Sequence, residues 1–185
     1  MLYIDKSTIV KLSFSISLII FTGVFAQIRF FLPDNPVPIT FQTLGILLMG
    51  GLLGPRWGLG TSLSYVILGL AGIPLFQGGN GGFQYSTGAT GGYIIGFVFA
   101  STSVGYFINK GLNESKSIWA YIMGTLIVYI PAIIWLSIFN FSWPEDGKLF
   151  SQAVYPFLIG DIIKAIAASL LTIGILKTKL NKYLK

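Results

Sequence analysis

A carboxylate and an ammonium group lie three residues apart inside one apolar run: Asp161 and Lys164, within residues 154–176. Residues three apart share one face of a helix. A charge near the centre of a membrane helix costs about 2.5 to 3.5 kcal/mol on insertion scales, so such groups normally face a bundle interior. We therefore predict that the pair lines the floor of a cavity, where Lys164 meets an anionic group and Asp161 accepts from N–H donors. The alternative interpretation is a salt bridge that only holds helices together.

Much other site chemistry is excluded by composition. The sequence has no Cys and no His, which removes thiolate nucleophiles, imidazole bases and the common zinc and haem ligand sets. The glycine-rich stretch 78–82 follows no strand and precedes no Walker lysine, so it is not a nucleotide loop. Asp161 has no second intramembrane acid beside it, as an intramembrane enzyme would need. We predict a protein that is not an enzyme and holds no metal or resident cofactor.

The composition indicates a membrane protein. Of the 185 residues, 54% are hydrophobic and only 10% are charged, whereas a soluble domain carries about a quarter charged residues. The net charge of +6 does not indicate nucleic-acid binding, because Lys and Arg punctuate apolar runs instead of forming a basic stripe.

Six apolar runs are long enough to cross a bilayer. We predict an all-α integral membrane protein in which residues 1–185 form one domain, a single bundle of six transmembrane helices with an outward-facing ligand pocket. The runs are 12–32, 37–53, 57–76, 91–108, 118–141 and 154–176.

Basic residues are unevenly divided between the two sides of this bundle. Nine fall on one side and two on the other, an asymmetry that predicts a multi-pass protein of the cell membrane with both termini cytoplasmic. The nine are Lys6, Lys11, Arg56, Lys110, Lys116, Lys177, Lys179, Lys182 and Lys185, and the two are Arg29 and Lys148.

Two segments on the predicted outer side have unusual compositions. Residues 33–38 contain three prolines, which favour extended or turn backbone. Residues 77–88 carry no charge and combine glycine, amide, hydroxyl and aromatic groups, as expected of a binding loop. Small residues also recur every four positions in 50–58 and 88–100, which favours close approach of helix backbones.

Several segments closely resemble BioY proteins, the biotin-specific substrate-binding (S) components of energy-coupling factor (ECF) transporters. They are PVPITFQTL at 36–44, GGLLGPRWG at 50–58, GLAGIPLF at 69–76, TGGYIIGF at 90–97 and GDIIKA at 160–165. The resemblance covers most of residues 26–176. It implies a six-helix membrane bundle that binds biotin from outside with very high affinity.

The resemblance also implies partners: a transmembrane coupling protein and two cytoplasmic ATPase subunits. S components often carry an Ala-x-x-x-Ala pattern in the first helix for docking the coupling protein. Here only Thr22 with Ala26, or Ser13 with Ser17, offers small residues at that spacing. An independent ion-coupled carrier is the alternative function, and it would need its own coupling-ion site.

Biotin fits the residues that the sequence singles out, because it joins a ureido ring, an apolar bicyclic body and a carboxylate tail. Amide and carboxylate groups suit the ureido head, aromatic rings suit the bicyclic body, and Lys164 suits either the tail or a ureido oxygen. Which end meets the charged pair stays open at this point. The predicted binding residues are Asp161, Asn80 and Gln84 for the head, Phe83, Tyr85 and Tyr93 for the rings, Lys164, and Thr40, Gln42 and Thr43 to complete the pocket.

Overall fold

The computed structural model describes residues 5–139 and 141–184, and this part of the chain is mostly helical. Its α-helices are α1 (Lys6–Phe25), α2 (Gln42–Leu70), α3 (Phe83–Ser86), α4 (Gly91–Asn109), α5 (Ser117–Ile138), α6 (Leu149–Ala153), α7 (Tyr155–Leu176) and α8 (Asn181–Leu184). Two short strands, β1 (Arg29–Phe30) and β2 (Ile39–Thr40), pair antiparallel.

Helix α1 begins and ends earlier than the predicted run 12–32. The Asp5 carboxylate caps its first turn by accepting from the Thr8 backbone N–H at 2.6 Å. The helix ends at Phe25 because the chain then enters the strand pair, in which Arg29 lies opposite Thr40. Hydropathy does not detect this change, since the residues after Phe25 remain largely apolar.

Helix α2 is a helical hairpin, with one arm at residues 42–53 and a second at 55–70. Gly54 has φ 75° and ψ −178°, a conformation open to glycine, and Pro55 then starts the second arm. The arms run antiparallel: the Gln42 amide donates to the Tyr65 hydroxyl at 2.6 Å, and a Cβ on Gly58 would lie 3.0 Å from the Gly50 Cα. The predicted runs 37–53 and 57–76 correspond to these arms. The first arm begins five residues inside its run, and the second begins two residues before its run and ends six residues inside it.

Glycines make the contacts between α2, α4 and α5, as the four-residue spacing predicts. A Cβ on Gly50 would lie 2.0 Å from the Ser101 carbonyl oxygen of α4. A Cβ on Gly92 or Gly96 would lie 2.6 Å or less from backbone atoms of α5. These helices therefore pack backbone to backbone.

Four helical segments of the described residues are long and apolar enough to cross a membrane. They are Lys6–Phe25, Gly91–Asn109, Glu114–Ile138 and Leu149–Leu176. Large apolar side chains on their outer faces are exposed, among them Ile16, Ile130 and Ile159. Such faces fit a bilayer, where outward apolar residues meet lipid.

Candidate functional site

A cavity of about 60 Å³ lies between the strand pair, the segment 76–93 and helices α5 and α7. We call this the site cavity and its end of the bundle the site end. The structure brings together seven of the ten predicted site residues here. They are Thr40, Gln42, Thr43, Tyr85, Tyr93, Asp161 and Lys164.

The charged pair at this cavity is almost completely buried. Asp161 is 7% exposed and Lys164 is 5% exposed, and the Lys164 ammonium donates to Asp161 Oδ1 at 2.6 Å. The second carboxylate oxygen, Oδ2, accepts from the Tyr129 hydroxyl of α5. Both carboxylate oxygens are thus engaged once and keep lone pairs, and a lysine ammonium has three N–H donors. The cavity therefore offers adjacent acceptor and donor groups to a ligand.

Tyr93 contributes its aromatic ring to the site, since its hydroxyl forms a hydrogen bond with the protein backbone. The hydroxyl donates to the Ala153 carbonyl at 2.6 Å, which ties α4 to the end of α6. The ring meets Tyr129 and Phe157 edge-on, with centroids 6.3 and 6.1 Å away. These rings form an apolar wall next to the charged pair.

Gln42 and Tyr85 lie on the other wall. The Gln42 side chain donates to the Tyr65 hydroxyl, which in turn donates to the Leu75 carbonyl at 2.7 Å. The Tyr85 ring stacks on Phe76 with the centroids 5.8 Å apart. Tyr85 belongs to the single turn of α3, and the position of this turn directs its ring toward the cavity.

The three other predicted site residues lie outside the lining of the site cavity. The Asn80 amide donates to the Gln77 carbonyl at 2.7 Å, which holds it within its own loop. Phe83 is 73% exposed and Gln84 is also exposed, because the turn of α3 that carries Tyr85 inward carries them outward. The loop was predicted as a unit, and only part of it reaches the cavity.

A strap formed by residues 27–40 holds this loop against the bundle. The Gln27 amide donates to the Phe76 carbonyl at 3.1 Å and accepts from the Gly79 N–H at 2.7 Å. The Arg29 guanidinium donates to Gln77 Oε1 at 2.9 Å. Gln77 and Phe76 both line the site cavity, so the strap fixes one of its walls.

Sequence reasoning missed several lining residues. Tyr129 is the most important, and its signal was a phenol group inside the apolar run 118–141, away from the ends where interfacial aromatics normally lie. The other lining residues that were not predicted are either apolar or lie in loops. They are Phe76, Gln77, Thr90, Ile94, Phe97, Val128 and Phe157, with Val37, Pro38 and Ile39 of the strap.

The structure distinguishes the two small-residue pairs of α1. Thr22 and Ala26 are fully buried, and a Cβ on Gly45 would lie 2.1 Å from the Thr22 hydroxyl, so this pair packs inside the bundle. Ser13 and Ser17 are exposed on the outer face of α1. Within the described residues, no group of three or more acidic side chains is placed to hold a metal ion.

Known proteins resemble this chain over most of its length. The BioY family profile matches residues 4–181. A probable biotin transporter BioY of Pyrococcus horikoshii is 40% identical over 80% of this chain and 84% of its own length. The biotin transporter BioY of Lactococcus lactis is 37% identical over 71% of each chain.

A solved structure gives the same result at the level of the fold. The crystal structure of the S component for biotin from an ECF-type ABC transporter superposes with a TM-score of 0.85 and 29% identity, and the match covers 100% of both chains. Profile, relatives and fold agree. The chain therefore belongs to the BioY family.

Proposed function

We propose that this protein is the biotin-binding S component of an ECF-type importer. The observation that carries the proposal is the buried group of Asp161, Lys164 and Tyr129 beside an aromatic wall, in a chain whose relatives are biotin transporters. Biotin is largely apolar and polar only at its ends. A cavity with apolar walls and a few placed polar groups suits such a ligand.

The ureido end of biotin is the part that we assign to the charged pair. A ureido N–H and its carbonyl oxygen are neighbours, as are the Asp161 carboxylate and the Lys164 ammonium, whose joined atoms lie 2.6 Å apart. Asp161 would accept the N–H while Lys164 donates to the oxygen. A ligand carboxylate at the same place would meet Asp161 as a like charge, so the tail is assigned to the rest of the cavity.

ATP hydrolysis, which drives transport, is assigned to partner subunits, because this chain has no phosphate-binding motif. The match to a component of an ECF-type ABC transporter supports partnership with a transmembrane coupling protein and two cytoplasmic ATPases. The exposed Ser13 and Ser17 face of α1 is our candidate for the coupling-protein contact. Small residues there would let a partner helix approach closely.

We further propose six membrane crossings: the four long apolar helices and the two arms of α2. The first arm is buried along its whole length and needs little contact with lipid, whereas the second arm exposes Leu59, Leu63 and Ile67, as a helix that faces lipid would. The basic asymmetry supports an orientation in which both termini are cytoplasmic and the site cavity faces outward.

Biotin binding by the isolated chain tests the proposal. The full chain, expressed without partner subunits and purified gently, should contain or take up one biotin per protein by native mass spectrometry, and should hydrolyse no ATP above a mock purification. A chain that binds no biotin but carries out ion-gradient-driven uptake of a small molecule in vesicles would favour the independent carrier.

A further inference from the structure

A second cavity, with a volume of about 1110 Å³, lies at the end of the bundle opposite the site cavity. We call it the distal cavity. It surrounds the α2 turn at Gly54 and is completed by the ends of α4 and α7, residues 113–115 and α8. The first arm of α2 runs from Gln42 at the site cavity to this turn, about 18 Å at 1.5 Å per residue. The two cavities are therefore separate.

Two basic side chains belong to the lining of the distal cavity, Arg56 and Lys177. Within residues 5–139 and 141–184, neither forms a salt bridge. One carboxylate, Glu114, also belongs to the lining and likewise forms no ion pair in that part of the chain. The lining thus carries two positive charges and one negative charge, which leaves it net positive and suited to an anion.

The remaining wall is largely apolar. It includes Leu52, Trp57, Ile108, Ile173 and Leu176. A soluble anion would gain little from such a wall, whereas a phospholipid has both a charged headgroup and hydrocarbon chains. The cavity also lies where the membrane helices Gly91–Asn109 and Leu149–Leu176 end, at the depth of lipid headgroups.

One buried polar atom adds to this chemistry. Asn181 Oδ1 in α8 is buried and has no hydrogen-bond donor among the residues that the structure describes. An unpaired buried acceptor is costly, so a donor from a bound molecule would stabilise it. The glycerol headgroup of phosphatidylglycerol carries hydroxyl donors beside its phosphodiester.

We propose that the distal cavity binds an anionic phospholipid. Its phosphodiester lies between Arg56 and Lys177, its headgroup hydroxyls reach Asn181, and an acyl chain follows the wall formed by Ile173 and Leu176. Guanidinium and ammonium groups are the standard partners of phosphate, and basic pockets between membrane helices bind anionic headgroups. This inference does not depend on biotin as the ligand of the site cavity.

Native mass spectrometry of the full chain in detergent tests the proposal, with dioctanoyl phosphatidylglycerol as the probe. The parent should bind it at least fivefold more tightly than dioctanoyl phosphatidylcholine, and should not bind glycerol 3-phosphate in the same range. Arg56→Gln combined with Lys177→Gln should weaken binding at least fivefold. Glu114→Gln should strengthen it, because the substitution removes a repulsive charge from the lining.

The matched control is Lys116→Gln combined with Lys179→Gln. It removes the same charge at the same end of the bundle, from exposed residues outside the lining, and should stay within twofold of the parent. Equal loss in the control and the cavity variant would overturn the proposal in favour of diffuse surface attraction. Binding of glycerol 3-phosphate as tight as that of the lipid would overturn it in favour of a soluble phosphate. If the cavity variant loses its fold, an unchanged affinity in Glu114→Gln overturns the proposal independently.

Discussion

The Tyr129 hydroxyl of α5 donates a hydrogen bond to the Asp161 carboxylate of α7, inside the bundle. The same carboxylate accepts from Lys164 through its other oxygen. Asp161 therefore joins the helix that carries the charged pair to a neighbouring helix. This arrangement holds the carboxylate in one orientation, which is what a site for a small polar ring requires.

Removal of that hydroxyl should weaken biotin binding. Tyr129→Phe leaves Asp161 without one donor, and a hydrogen bond to a charged group contributes about 1.5 to 3 kcal/mol, so we expect at least a tenfold higher Kd by calorimetric titration. Tyr121→Phe is the matched control, because this buried tyrosine donates to Thr172 away from the site cavity. It should lower the melting temperature and leave the Kd near the parental value. Equal loss of affinity in both variants would show a general packing effect.

The strap should control how long biotin stays bound. Arg29→Gln removes the guanidinium that donates to Gln77, and we expect dissociation of biotin to accelerate several-fold because one wall of the cavity loses a tether. Stopped-flow displacement of labelled biotin measures this rate. Lys148→Gln removes a positive charge from an exposed ion pair with Glu145 that does not line the cavity, and it should leave the rate unchanged. A parental rate in Arg29→Gln would show that the strap has no such role.

Close backbone packing between α2 and α4 should make Gly50 intolerant of any side chain. Its Cβ would overlap the Ser101 carbonyl, and overpacking of this kind costs about 1 to 3 kcal/mol, so Gly50→Ala should lower the melting temperature in detergent. Gly60 in the second arm of α2 has open space around its Cβ position, and Gly60→Ala should leave the melting temperature unchanged or raise it. Equal melting temperatures in the two variants would be inconsistent with this packing.

The proposed orientation can be tested with single cysteines, because the chain has none of its own. Asn80→Cys lies in the loop at the site end, and Glu114→Cys lies at the opposite end. A membrane-impermeant thiol reagent should label the first in intact cells and the second only after permeabilisation. The reverse pattern would place the site cavity on the cytoplasmic side.

The end of biotin at the charged pair can be identified with biotinamide, which lacks the tail carboxylate. If the ureido ring lies there, Lys164→Met should weaken biotin and biotinamide by the same factor. If the tail lies there, the substitution should weaken biotin alone, since biotinamide has no carboxylate for the ammonium to bind.

Charge and periodicity were enough to predict the helical character and the burial of Asp161 and Lys164 beside a cavity. A buried charge is costly, so Asp161 and Lys164 could be assigned to an interior site before any contact was known. Gly50, Gly92 and Gly96 were also predictable, because small residues at helical spacing have few other uses in a membrane helix.

The loops could not be predicted in the same way. Whether Tyr85 or Phe83 faces the cavity depends on the placement of one turn of helix, which composition does not fix. Tyr129 was missed because a single hydroxyl in an apolar run resembles an ordinary core aromatic until its partner on another helix is known. The break between the runs 37–53 and 57–76 was predicted, but the left-handed conformation of Gly54 that makes it so tight was not.

The most direct test of the site uses the double variant Asp161→Asn with Lys164→Met, titrated with biotin in detergent beside a melting curve. Each single substitution leaves a buried charge without its partner and should weaken binding at least tenfold. The double variant removes both charges together. If the pair only stabilised the bundle, this variant would keep the parental affinity for biotin and change only in melting temperature. If Asp161 and Lys164 contact biotin, the double variant should remain folded and monodisperse and still bind biotin at least tenfold more weakly than the parent. A near-parental Kd in that variant would contradict a binding role for the charged pair.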